Sequence, residues 1–195
     1  MRCVEHKQNR IANLDNGQII LITYDDFEKD FLEEVAGDIT REYSYPVTIH
    51  ESRIDLSPFY DSTRRQYDGN KLLKEIDALS LPRSHKKMGL FRVDLFIPIL
   101  TYIFGQAIYK GETGIASLYR LRNEQYGMKS DDVLLYERFR KVIIHELGHT
   151  FGLIHCHIPN CVMRSSTYVE DIDQKRKHLC KHCKEAMLIS HKGTG

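Results

Sequence analysis

Residues 18–24, Gln-Ile-Ile-Leu-Ile-Thr-Tyr, form a short, nearly continuous apolar run, the pattern of a strand buried on both faces. Phe27, Phe31, Leu32, Val35 and Ile39 then recur at helical spacing and predict an amphipathic helix over 26–41. Asp25 and Glu28, three apart, suit a carboxylate version of the capping box at its start. Pro46 opens a second strand over 47–54, and the polar stretch 56–66 is a loop turned at Ser57-Pro58. Leu72, Leu73, Ile76 and Leu79 predict a shorter helix ending before Pro82. Three strand-like runs follow, at 90–97, 102–109 and 114–121. The short link Lys110-Gly111-Glu112-Thr113 favours an antiparallel hairpin between the last two. Ser130-Asp131-Asp132 places negative charge at the positive end of a helix dipole. The helix runs from there to about Gly152, with Leu134, Leu135, Phe139, Val142, Ile143 and Leu147 as its buried stripe and Gly148 as its one weak point.

Strands alternating with helices predict an α+β or α/β fold, a mixed and mostly parallel twisted sheet with helices packed against it. We expect one domain over 1–195, with a sheet-and-helix sub-region at 1–152 and a loop-rich one at 153–195 that ends in a short basic helix or tail. The second sub-region is too poor in periodic apolar residues to hold a core by itself, so folding around metal is expected.

Composition narrows the function. The chain has 195 residues, 28 Lys+Arg against 27 Asp+Glu, and a net charge of +1. That balance removes the electrostatic case for nucleic acid or a polybasic membrane contact. The longest greasy run, Leu95 to Phe104, is interrupted by Pro98 and Thr101 and is too short to span a bilayer. No secretory signal pattern is visible, so a cytoplasmic protein is the expectation; a monomer is expected as well. The cysteines are unevenly spread: Cys3 stands alone, while Cys156, Cys161, Cys180 and Cys183 fall within the last 40 residues. Six of the ten histidines lie between 145 and 183, and clustered cysteines without a signal peptide point to metal ligands ahead of disulfides.

His145-Glu146-Leu147-Gly148-His149 sits near the end of the long helix. Histidines four apart share a helix face and can share one ion, and zinc suits imidazole ligands. Glu146 is placed to act as general base on a zinc-bound water. Gly152 can end the helix at positive φ and turn His155 back towards the same metal. The complete pattern, HExxHxxGxxH, resembles the metzincin clan of zinc peptidases. With Cys156, Cys161, Met163 and the pair Cys180-x-x-Cys183 following in that order, the chain is similar to the archaemetzincins, over about 40 contiguous residues. Its spacing from the methionine to the final cysteine pair is one residue shorter than the family pattern.

The resemblance implies a metzincin-like fold, a turn at Met163 beneath a catalytic zinc, and a second, structural zinc. Chemically, Cys156, Cys161, Cys180 and Cys183 can close a four-thiolate site against water. His157 or His182, beside or between these cysteines, could instead replace one of them. His178 is then a surface residue or a support to a ligand, and Cys3 an ordinary free thiol. Tyr168 is expected to pack or lie on the surface, Asp171 and Asp173 to be solvated, and Lys175-Arg176-Lys177 to form a solvated basic face.

The leading expectation is a zinc metallopeptidase with two zinc ions, acting on a peptide or protein laid along an edge strand within 102–109. Two rivals keep the same residues: a zinc-stabilised binding or regulatory module with a weak or silent site, and a hydrolase of small amides.

Overall fold

The apolar run at 18–24 lies at the heart of a five-stranded sheet. The computed structural model describes residues 17–80 and 85–192. It runs β1 (Ile19–Thr23), α1 (Lys29–Tyr43), β2 (Val47–Glu51), β3 (Tyr60–Asp61), β4 (Gln66–Asp68), α2 (Gly69–Asp77) and β5 (Lys86–Phe91). There follow β6 (Leu95–Ile97), β7 (Leu100–Ile103), β8 (Gly105–Ala107), β9 (Thr113–Ser117), α3 (Asp132–Thr150), α4 (Val169–Gln174) and α5 (Lys181–Lys192). The large sheet has the order β2-β1-β5-β9-β8, its first four strands parallel and β8 antiparallel to β9. That is the mixed, mostly parallel sheet expected, closed by the expected hairpin.

Alternation along β1 explains why it is apolar from Ile19 to Ile22. Ile19 and Leu21 enter a core shared with α1 and α3, including Val35, Ile39, Phe139 and Ile143. Ile20 and Ile22 point the other way, into a core with Leu72, Leu73 and Ile76 of α2. Each face of the sheet is thus covered, so no position on β1 tolerates a polar side chain facing water.

Several boundaries differ from expectation because polar groups intervene. The first helix begins at Lys29, and its expected cap does not form: Asp25 accepts from the Arg92 backbone N–H (2.8 Å), while Glu28 accepts from Tyr136 and Arg92 side chains. The run 90–97 breaks between β5 and β6, where buried Asp94 takes Arg120 Nε (2.8 Å) and Gln66 Nε2 (3.1 Å). β5 starts earlier, at two lysines. Lys87 is buried because its ammonium donates to the carbonyls of Asp77 (2.8 Å) and Leu79 (3.1 Å) at the end of α2. The second strand stops at Glu51, and the third run is a strand only to Ser117, followed by a 3₁₀ turn.

The supposed loop 56–66 also holds structure: a 3₁₀ turn, then β3 and the first residue of β4. These belong to a second, four-stranded sheet of order β3-β4-β6-β7 that no periodicity announced. The run 102–109 is divided between that sheet (β7) and the large one (β8) at Phe104. The long helix is as expected, capped by Asp131, whose carboxylate accepts from the Leu134 N–H (2.9 Å).

The C-terminal segment builds no core of its own but shares the main one. Cys161, Val162, Met163, Val169, Ile172, Leu179, Cys183 and Met187 all join the main cluster beneath α1 and α3. Salt bridges fasten it as well. Arg138 is buried and grips Asp173 through two bonds of 2.7 Å, so Asp173 is a partner and not a solvated charge. Lys177 pairs with buried Asp38 (2.9 Å), and Glu42 receives His178 (2.6 Å) and the Leu179 N–H (3.1 Å). The short helix α4 was not expected; its start is capped by Asp171, which accepts from the backbone of Thr167 and Tyr168. Cys3, Pro82 and the last three residues lie outside the described residues. Among those described, no helix is long and apolar enough to cross a membrane.

Candidate active site

Helix α3 carries His145 and His149 one turn apart, so their rings meet on the same face, with centroids 4.7 Å apart. The helix ends at Phe151, and Gly152 takes φ +84, which only glycine adopts freely; the Leu153 N–H turns back to the Gly148 carbonyl (2.9 Å). That reversal delivers His155, whose ring centroid lies 5.3 Å from that of His145 and 5.0 Å from that of His149. One nitrogen from each of the three lies within 4.8 Å of the others.

The orientation of the first two rings is fixed from behind. His145 Nδ1 donates to the Val162 carbonyl and His149 Nδ1 to the Leu153 carbonyl, both at 2.8 Å. With the proton committed there, each Nε2 carries a lone pair, and the two Nε2 atoms face each other at 3.1 Å. Lone pairs aimed at one point repel unless a cation sits between them. Burial also pushes the pKa of His145 well below its usual value, and those of His149 and His155 down, with the charge of Lys175 adding to the effect. Neutral, orientated imidazoles are the ligating form, so these residues fit zinc.

Met163 sits directly below. It is fully buried, and a Cβ added at Gly148 would collide with its sulfur and stand 2.9 Å from its methyl. The glycine that weakens α3 therefore has a packing reason: it lets the methionine turn approach the helix between the two histidines. Glu146 lies on the cleft side, also buried, and burial pushes its carboxyl up to about 8. It abuts β8: a Cβ at Gly105 would stand 2.7 Å from Glu146 Cγ.

The cleft has a volume of about 570 Å³. One wall is β7 and β8, residues 100–107; the other is the loop Ser165–Tyr168 with Ile172 and Lys175; His145, Glu146, His149 and His155 meet between them. β8 is an edge of the large sheet, so the edge strand expected within 102–109 is narrower but borders the cleft. Tyr168 is 64% exposed and forms part of the rim.

The four cysteines converge separately. Cys156 Sγ is 3.8 Å from Cys180 Sγ, Cys161 Sγ is 3.7 Å from Cys183 Sγ, and all four lie within 4.8 Å. A disulfide needs about 2 Å between sulfurs, whereas a tetrahedral ion with bonds of about 2.3 Å spaces its thiolates about 3.8 Å apart. The Cys180 N–H points at Cys161 Sγ (3.4 Å) and the Ile158 N–H at Cys156 Sγ (3.4 Å), as supports to thiolates do. His157 and His182 belong to neither group of converging ligand atoms. The basic run 175–177 is not a solvated face: Lys175 is buried and lines the cleft, and Lys177 is tied to Asp38. Nothing in the hydropathy pattern distinguishes Lys175 from its two basic neighbours.

Comparison with known proteins gives a consistent picture. The model of peptidase family M54 matches residues 14–188. The archaemetzincin of Haloquadratum walsbyi is 31% identical over 166 residues, 84% of this chain and 95% of that protein. Among solved structures, the archaemetzincin from Methanopyrus kandleri superposes with a TM-score of 0.80 at 28% identity, covering 93% of this chain and 99% of that one. A zinc-dependent peptidase from Methanocorpusculum labreanum gives 0.77 at 28% identity, with 87% and 99% covered.

Proposed function

The chain belongs to peptidase family M54 and is a zinc metallopeptidase that acts on peptide or protein substrates; from that premise we propose that Glu146 is its general base, at a centre held by His145, His149 and His155. The observation that carries this reading is the convergence of three neutral imidazoles beside one buried carboxylate at the floor of a single cleft. When bound there, zinc supplies Lewis acidity, polarising the scissile carbonyl and making a water molecule more acidic.

Glu146 accepts the proton of the attacking water and hands it to the leaving amine. Its burial in the cleft floor shields that carboxylate from bulk water, so the proton passes between the reacting groups and not to solvent. The backbone carbonyls of Val162 and Leu153 keep the histidine rings from rotating. β8 offers an unpaired strand edge along one wall, to which an extended peptide can add as a further strand, lying across Glu146. Cys156, Cys161, Cys180 and Cys183 form a closed structural zinc site, on the strength of their spacing and of the N–H groups that face them.

Two measurements test this. Short peptides and small amides are incubated with the protein, with and without a chelator; cleavage of peptides alone, abolished by chelator, is expected. Turnover confined to small amides, or turnover indifferent to chelator, overturns the proposal. Metal analysis should find two zinc ions per chain, falling to one in His149→Ala. An unchanged content in that variant would remove the three-histidine site.

A further inference from the structure

We propose that Lys175 and Ser166 form a carboxylate-binding subsite in the cleft, which makes peptides with an acidic group next to the scissile bond the preferred substrates. The acidic group is a Glu or Asp side chain or the peptide's own C-terminal carboxylate. The proposal rests on the peptidase reading above and adds a substrate class to it.

Lys175 is only 4% exposed, yet it lines the cleft with the three histidines and Glu146. Its ammonium donates to the Arg164 carbonyl (2.7 Å), and no carboxylate forms an ion pair with it among the described residues. The charges that act on it from farther away are Glu146 across the cleft floor, the Cys161 thiolate, Asp171 on α4 and, with the same sign as its own, Lys141 on α3. An ammonium has three donors, and a buried cation without a counter-ion is costly. Burial pushes its pKa down to about 8, which a bound carboxylate would raise again. In the same wall of the cleft, the Ser166 hydroxyl is buried without a hydrogen-bond partner among the described residues. One cation with spare donors and one idle hydroxyl in the same wall match the needs of a carboxylate.

The lysine is also held in place. The Lys175 N–H reaches the Ile172 carbonyl (3.4 Å), the Arg176 N–H reaches the Asn160 carbonyl (3.2 Å), and Lys177 is anchored to Asp38. A cation needed only for solubility would not be fixed on both sides and turned inward. An anion that arrives with the substrate therefore meets a donor already in position, with little ordering left to lose.

The test uses peptide pairs that differ only by Glu against Gln, at each of the two positions either side of the scissile bond, and a further pair with free-acid or amidated C-termini. The ratio of kcat/KM within each pair is insensitive to the fraction of active protein. In the wild type we expect the acidic member to be favoured roughly tenfold or more. Lys175→Met should bring the ratio to about one, Lys175→Arg should retain it, and Lys175→Glu should reverse it in favour of the uncharged member of each pair. Ser166→Ala should lower it part of the way. A Glu/Gln preference identifies an internal acidic residue, and an acid/amide preference a chain terminus. Wild-type ratios near one in every pair, or a ratio unchanged in Lys175→Met, overturn the proposal. Calorimetric affinities for the same pairs are measured in parallel on wild type and Lys175→Met. If no peptide is cleaved, the peptidase reading fails and the affinity ratios still decide the subsite.

Discussion

Glu146→Gln is expected to lower kcat/KM by roughly a thousandfold while leaving the metal content and the thermal midpoint close to those of the wild type. Glutamine keeps the shape that packs against Gly105 and removes only the ability to accept a proton. Glu146 is buried and not itself among the converging ligand atoms. Its replacement should therefore spare the imidazole cluster, and losing a buried carboxylate relieves a desolvation cost. Metal analysis and a melting curve on the same sample make the loss of rate interpretable. A variant that retains its full rate with metal bound would sink the general-base assignment.

Cys183→Ser is expected to lower the melting midpoint by about 10 °C or more, through the loss of a few kcal/mol, and to release one metal equivalent. The side chain is buried within the main core beside Leu179 and Met187, so its removal costs packing as well as a ligand. Activity should fall with stability, because the Val162 carbonyl that holds His145 sits next to Cys161. Thermal unfolding followed by circular dichroism, with zinc quantified before and after, checks both statements. A midpoint and a metal content equal to those of the wild type would show that the cysteines hold no ion.

What was legible in the chain depended on how local the signal was. The central strand, the long helix and the hairpin follow from periodicity or turn residues within a few positions, and each is present. The three-histidine and four-cysteine groups were legible because their residue types have few other reasons to cluster. The small sheet was not, because β3, β4 and β6 are two or three residues long and owe their pairing to partners distant in the chain. The capping box at Asp25 failed for a similar reason: Arg92, 67 residues away, competes for the same carboxylate. Lys175 shows the limit most clearly. Its sequence neighbourhood is basic and polar, and only the packing of α3, α4 and the cysteine turn buries it. The C-terminal fifth forms no separate core, as its aperiodic apolar residues suggested; what could not be read is that they are spaced for a surface already made by α1 and α3.

The hydrogen bond from His145 to the Val162 carbonyl has a consequence for the order in which the enzyme comes into being. During synthesis the HExxH helix emerges first, but the groups that aim and complete it lie further along: the Gly152 turn, His155, the methionine beneath and the carbonyl at 162. That last stretch is held by residues still later, since the Val162 N–H is bonded to the His178 carbonyl and Cys161 pairs with Cys183. The hydrolytic centre is therefore assembled only once the segment through Cys183 has been made and has folded against the helix.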